Sequence, residues 1–171
     1  MNNRVQHKPG GAARGAFTLV EAFFVMVILA ILSAIAVPRY AGFVANQQLE
    51  GAARRLTADL SLAQRQARRS SASQAVTFDV AHSSYRLMGM NHPDHPGQPF
   101  QICLLDEPYK ARIVSATFGA NARVIYDGFG APDTGGQVVI AVGACQRTIN
   151  VDAGTGRPTR TEEPGGQAPT E

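Results

Sequence analysis

The stretch "FTLVEAFFVMVILAILSAIAV", residues 17–37, decides the fold. It holds 21 residues and a single charge, Glu21. As a helix rising 1.5 Å per residue it would extend about 31 Å, the thickness of one bilayer core. A carboxylate in hydrocarbon costs roughly 3 kcal/mol on insertion scales, so Glu21 calls for a partner that neutralises it. Arg4, Lys8 and Arg14 are the only charges before Phe17. By the positive-inside rule they keep the leader in the cytoplasm and send the rest of the chain to the periplasm or exterior. A cleaved secretory signal would have a shorter apolar core and a small-residue cleavage site after it. Here the core is longer, and "SAIAVPRY" offers no clean A-x-A. A plain membrane anchor leaves Glu21 unexplained.

Working outward, residues 1–16 are polar, basic and Gly/Ala-rich, without apolar periodicity, and read as a disordered leader. The whole chain has 171 residues and a formal net charge of +3. Its three leader cations account for that excess, so the high calculated pI is weak support for nucleic-acid binding. After Pro38, where a kink is expected, the helix continues. Leu49, Ala52, Ala53, Leu56, Leu60, Ala63 and Ala67 recur at spacings of three and four and form one narrow apolar stripe. Arg54, Arg55, Arg65, Arg68 and Arg69 flank it. Residues 17 to about 70 thus read as one long helix, apolar all round at first and one-sided afterwards. From Ser70 the period becomes two. Strands are expected at 74–80, 84–89, 100–105, 111–118, 123–127, 137–142 and 146–152, with a turn at "DGFG" (127–130) and a tight "GA" hairpin before Cys145. The tail "TRTEEPGGQAPTE" (159–171), with two prolines and little apolar to anchor it, is expected to be disordered.

"FTLVE" at 17–21, with its basic leader and apolar helix, resembles the class III signal of type IV pilins and type II secretion pseudopilins. "LEGAARRLTADLSLAQRQARRSSASQAVTFD" (49–79) and "DGFGAPDTGGQVVIAVGACQRTINVDAGTGRPTR" (127–160) resemble the GspH/FimT family of minor pseudopilins and minor pilins. The resemblance implies a pilin-like α+β fold, a long N-terminal helix with a membrane-spanning first half, packed on an antiparallel β-sheet. It divides the chain into a leader (1–16), a transmembrane and assembly helix (17–37), an amphipathic helix (38–71), a β-rich periplasmic domain (72–160) and a tail (161–171). It implies cleavage by a prepilin peptidase between Ala16 and Phe17 and N-methylation of Phe17. Glu21 would then be the fifth residue of the mature chain and could pair with the Phe17 amine of a neighbouring subunit. Such leaders usually end in Gly. Here Ala16 stands at that place with Gly15 one further back, and cleavage after Gly15 would put Glu21 one position out of register. The implied partners are other pseudopilins or pilins in a fibre, the peptidase, the inner membrane and an assembly platform. No cofactor is implied. The first functional reading is a minor pseudopilin of type II secretion. The alternative is a FimT-like minor pilin that binds DNA, where the resemblance points to Arg157 and Arg160.

The remaining constellations have simpler readings. His92 and His95 with Asp94 could suggest a metal, but two or three ligands in "NHPDHPGQP" read better as a Pro-rich surface loop. Ser70, Ser71 and Ser73 lack a His–Asp pair and read as a helix-terminating cluster. The arginines at 54–69 read as the solvated flank of the helix. Residues 70–171 carry seven basic and ten acidic side chains, with Glu162 and Glu163 beside the "GRPTR" motif, which dilutes a phosphate-binding charge. Cys103 and Cys145 are too few for a zinc site and are candidates for a disulfide outside the cytoplasm. An enzymatic role is not expected.

Overall fold

Helix α1 runs from Leu19 to Ser70 in the computed structural model, which describes residues 18–161 other than Asp94. Expectations for the leader, Ala16, Phe17, Asp94, Glu162, Glu163 and the rest of the tail fall outside the described residues. The chain divides into two units, Met1–Tyr40 and Ala41–Glu171.

In the first unit the described residues form helix, with the large side chains from Leu19 to Leu32 exposed on every side, among them Phe23, Phe24, Met26 and Ile31. Among the described residues no helix is long and apolar enough to cross a membrane. The span expected over 17–37 therefore gains no support from it.

In the second unit the amphipathic pattern is realised in full. All seven stripe residues, Leu49 through Ala67, are buried. Four of the seven are alanine, so more than half of the buried stripe is made of side chains that lose no rotamer freedom on burial. Hydroxyls on the helix are satisfied locally, Thr57 Oγ1 donating to Ala53 O at 2.7 Å and Ser61 Oγ to Thr57 O at 2.8 Å. Arg68 and Arg69 occupy the last turn, where cations complement the helix dipole. The helix stops as the serine cluster suggests. Ser71 takes a left-handed φ of 51°, and Ala72 N donates back to Ala67 O at 3.3 Å, a Schellman closure.

Where one antiparallel sheet is expected, the structure has two of four strands each. The first holds β1 (Gln74–Asp79), β2 (Ser84–Asn91), β3 (Pro99–Cys103) and β5 (Arg123–Tyr126) in the order β3-β2-β1-β5. The second holds β4 (Arg112–Phe118), β6 (Gly136–Val142), β7 (Cys145–Val151) and β8 (Pro158–Thr161) in the order β4-β6-β7-β8. All pairings are antiparallel. Seven strands lie where the alternation places them, within two residues at each end. The eighth, β8, is an addition that corrects the expectation of disorder from Thr159 onward, since Thr159, Arg160 and Thr161 are held by pairing with β7. The "GA" hairpin forms as expected, with Val142 opposite Cys145 and Gly143 at φ 58°, as the first position of a two-residue turn demands. Inner faces of both sheets meet under α1, and the Phe78 and Phe118 rings stack across them with centroids 5.4 Å apart.

Two polar features sit in this core. Asp59, 6% exposed, accepts from Arg55 Nε at 2.9 Å and from the Tyr85 hydroxyl at 2.6 Å. Burial, with the Asp59 charge beside it, pushes the Tyr85 phenol above its ordinary value, so it remains a donor. The buried Tyr126 hydroxyl, in contrast, has no hydrogen-bond partner among the described residues. A buried, unpaired hydroxyl is a cost, so Tyr126→Phe should raise the unfolding free energy by about 1 kcal/mol. Urea unfolding would check this, and a clear loss of stability would contradict it.

Candidate functional site

Three places in the structure gather the residues that the sequence singles out. The first is the start of α1. Thr18 Oγ1 accepts the Glu21 backbone N–H at 3.2 Å. Thr18 is thus the N-cap and Glu21 the third helical residue, the spacing of a capping box, with an acidic group in the first turn where the helix dipole favours it. The T-x-x-E spacing is visible in "FTLVE". Reading Glu21 only as a buried charge overlooks it.

The second place is a latch at the other end of the helix. Gln64 is buried, and its Nε2 donates to Gly130 O and to Thr155 O, both at 2.7 Å. One side chain on α1 thereby ties together the 127–131 turn and the 152–156 loop. Each loop is also braced internally. Asp127 Oδ1 accepts from Phe129 N at 2.9 Å and Ala131 N at 2.8 Å. Asp152 Oδ1 accepts from Thr155 N and Thr155 Oγ1, both at 2.7 Å, and from Gly154 N at 3.2 Å. These bonds, the Thr155 hydroxyl first, hold the Asp152 carboxyl below its ordinary value. Gly156 closes the junction at φ 67°, and a Cβ there would stand 2.7 Å from Gln64 Nε2 and 2.8 Å from Gly130 O. The glycine of the "GR" pair thus has a steric reason.

Above this latch lies an open groove of about 480 Å³, bordered by Gln64, Arg68, Phe129, Gly130, Thr155 and Arg157. Arg68 Nε donates to Phe129 O at 2.9 Å. Arg157 is exposed and has no ion pair among the described residues. The Phe129 ring is 88% exposed.

The third place is a charge cluster around Glu50. Its Oε1 accepts from Arg54 Nε at 2.8 Å and from Arg160 Nη1 at 2.7 Å, while Arg147 Nε lies 3.7 Å from Oε2. The hydrogen bond from Arg54 leads in holding the Glu50 carboxyl below its ordinary value. Arg147 also donates from Nη2 to Asn46 Oδ1 at 3.4 Å. The structure therefore separates the two arginines of the "GRPTR" motif. Arg157 faces the groove, and Arg160, on β8, is bound to a carboxylate of α1.

Cys103 and Cys145 are free thiols, one at the end of β3 and the other at the start of β7 in the opposite sheet. The His92 ring packs 5.4 Å from Phe100 and 5.0 Å from His95. Among the described residues no three His, Cys, Asp or Glu side chains gather around a metal-sized site.

The profile of the family described as type II transport protein GspH matches residues 52–156, more than half of the chain. Among solved structures, the chain is similar to the type IV minor pilin FimU of Pseudomonas aeruginosa strain PAO1 in two crystal forms. One is 15% identical, over 67% of this chain and 93% of that one, with a TM-score of 0.48. The other is 17% identical, over 72% and 94%, with the same TM-score of 0.48. No curated protein matches the chain.

Proposed function

Because the chain belongs to the GspH family of type II transport proteins, we propose that it is an H-type minor pseudopilin, a structural subunit of the short periplasmic fibre that drives protein export. The observation that carries this reading is the exposed apolar arm. A helix that is apolar on every side must be covered, and a single chain covers none of the large side chains from Leu19 to Leu32. Lipid before assembly and neighbouring helices after it would supply the cover. On this reading residues 17–37 anchor the chain in the inner membrane, with the β-rich domain in the periplasm. A prepilin peptidase cuts between Ala16 and Phe17, and the new Phe17 amine is N-methylated. The Glu21 carboxylate then meets the Phe17 amine of a neighbour, so two charges that are costly alone become one register-setting pair. Its partners are other pseudopilins, the peptidase and the assembly platform, and it acts as a structural part and not as a catalyst.

Incorporation into fibres tests the reading. Glu21→Ala should leave the periplasmic domain folded yet lower the amount of protein in the sheared fibre fraction at least tenfold, the effect of losing about 1.4 kcal/mol per subunit. Equal incorporation of variant and wild type would sink the pairing.

A second reading is a FimT-like minor pilin that captures DNA. The groove favours it, since Arg68 and Arg157 border it beside the exposed Phe129 ring, and cations beside an aromatic suit a nucleic-acid strand. The Glu50–Arg160 bond weighs against it, because it removes one of the two cations the resemblance points to. Gel shifts of residues 45–171 with duplex and single-stranded DNA separate the readings. Under the second, Arg157→Ala weakens binding and flattens its salt dependence. Under the first, the wild type itself shows no shift at moderate salt.

A further inference from the structure

The 127–131 turn holds its backbone fixed while presenting an apolar ring to solvent. Asp127 braces it by main chain as well as by side chain, with Gly130 N donating to Asp127 O and Asp127 N to Ala131 O, both at 2.8 Å. From the helix, Gln64 donates to Gly130 O and Arg68 to Phe129 O. The Phe129 ring takes part in none of these bonds and is 88% exposed. A large ring held out on a preorganised backbone has little entropy left to lose when it docks, which is the make-up of an interface anchor.

The surroundings of the ring decide what it fits. Arg68 already spends its Nε on the turn. Arg160, the second cation of the "GRPTR" motif, is bound to Glu50. Arg157, exposed and without an ion pair among the described residues, is therefore the chief cation left at the ring's border. That is too little for a phosphate chain, whose affinity grows with the number of phosphates neutralised. Residues 70–171 also carry ten acidic against seven basic side chains, so a long polyanion is repelled beyond the groove. A folded protein needs only a local match, an apolar cleft for the ring and one carboxylate for Arg157.

Assembly into a fibre adds a second requirement. The helical arm from Leu19 to Leu32 is apolar on every side, so it accepts any apolar helix and selects none. A subunit that takes its place among different subunits must then be told apart by its globular unit. We propose that the Phe129 turn makes this selective contact. Its ring seats in an apolar cleft on the globular part of a different pseudopilin, and Arg157 meets a carboxylate at the edge of that cleft. This deepens the subunit reading and rests on it.

Photo-cross-linking of the full chain in its fibre tests this. Phe129 is replaced by its benzophenone analogue, cells are irradiated, fibres are sheared, and linked products are identified by mass spectrometry. The expected product joins this chain to one other pseudopilin, at a peptide that contains Asp or Glu. Arg157→Glu should lower its yield about fivefold, the scale of an exposed ion pair, and Lys in place of the mapped carboxylate should restore it. The same analogue in place of Val114, exposed on β4, should give no such product. Phe129→Ala should leave the cellular level of the chain unchanged and lower its amount in the sheared fraction at least tenfold, as loss of an interface anchor does. A link to a second copy of this chain, a link to nucleic acid, or no link from protein that is present in the fibre overturns the contact and leaves the subunit reading standing. So does a yield that Arg157→Glu leaves unchanged. A wild-type chain absent from the sheared fraction overturns both.

Discussion

Gly156→Ala is expected to destabilise the domain by about 2–5 kcal/mol, and it does so at a latch and not in the apolar core. Two costs combine. A residue with a Cβ held at φ 67° pays the left-handed penalty of roughly 1–2 kcal/mol. The added methyl would then lie 2.8 Å from Gly130 O and 2.7 Å from Gln64 Nε2, and forcing atoms into such a space costs about 1–3 kcal/mol. Gln64 can yield only by giving up its bonds to Gly130 and Thr155, the two that hold both loops to α1. Urea unfolding should show a lower midpoint at an unchanged slope. A midpoint equal to wild type would mean that the latch is slack. Gly143→Ala serves as the control, because its positive φ carries the backbone penalty while nothing lies within 4 Å of the added methyl.

Asp59→Ala should cost on the order of 3 kcal/mol. The carboxylate is almost fully buried and accepts from both Arg55 and Tyr85. Its loss leaves the Tyr85 hydroxyl buried with no acceptor and a half-buried guanidinium without its counter-charge. The three groups act as one network, so the losses should not add. Asp59→Ala combined with Tyr85→Phe should be less destabilised than the sum of the single changes by 1 kcal/mol or more, which a double-mutant cycle measures. Strict additivity would show that Tyr85 and Asp59 do not depend on one another.

What the sequence discloses follows from the range of each interaction. The seven-residue stripe on α1 is legible because helical spacing is local and a single apolar face has one place to go. Strand positions are legible because alternation marks which residues face inward. Alternation does not say which strand lies beside which, so two sheets are not foreseen, nor is the pairing of β5 with β1 across an intervening strand of the other sheet. Strand β8 escapes because "PTRT" is polar, starts with proline and lies exposed at an edge, where nothing enforces alternation. The candidate site divides in the same way. "GR" marks Arg157 and Arg160 as neighbours in sequence, but the partner of Arg160 is Glu50, 110 positions earlier. Gln64 is hidden for a related reason. Beside Ala63 it resembles the solvated edge of the stripe, and only the fold brings Gly130 and Thr155 to its amide. Thr18 could have been found from spacing alone, since a threonine three residues before a glutamate is a local signature of a helix start.

The proposed function requires that this chain be processed and built into a fibre. The most direct measurement is the N-terminus of the protein recovered from sheared fibres, read by mass spectrometry. The expected result is a chain that begins with N-methylated Phe17, with Glu21 as its fifth residue. A chain that retains Met1 through Ala16, or one that is missing from the fibre fraction, would contradict it.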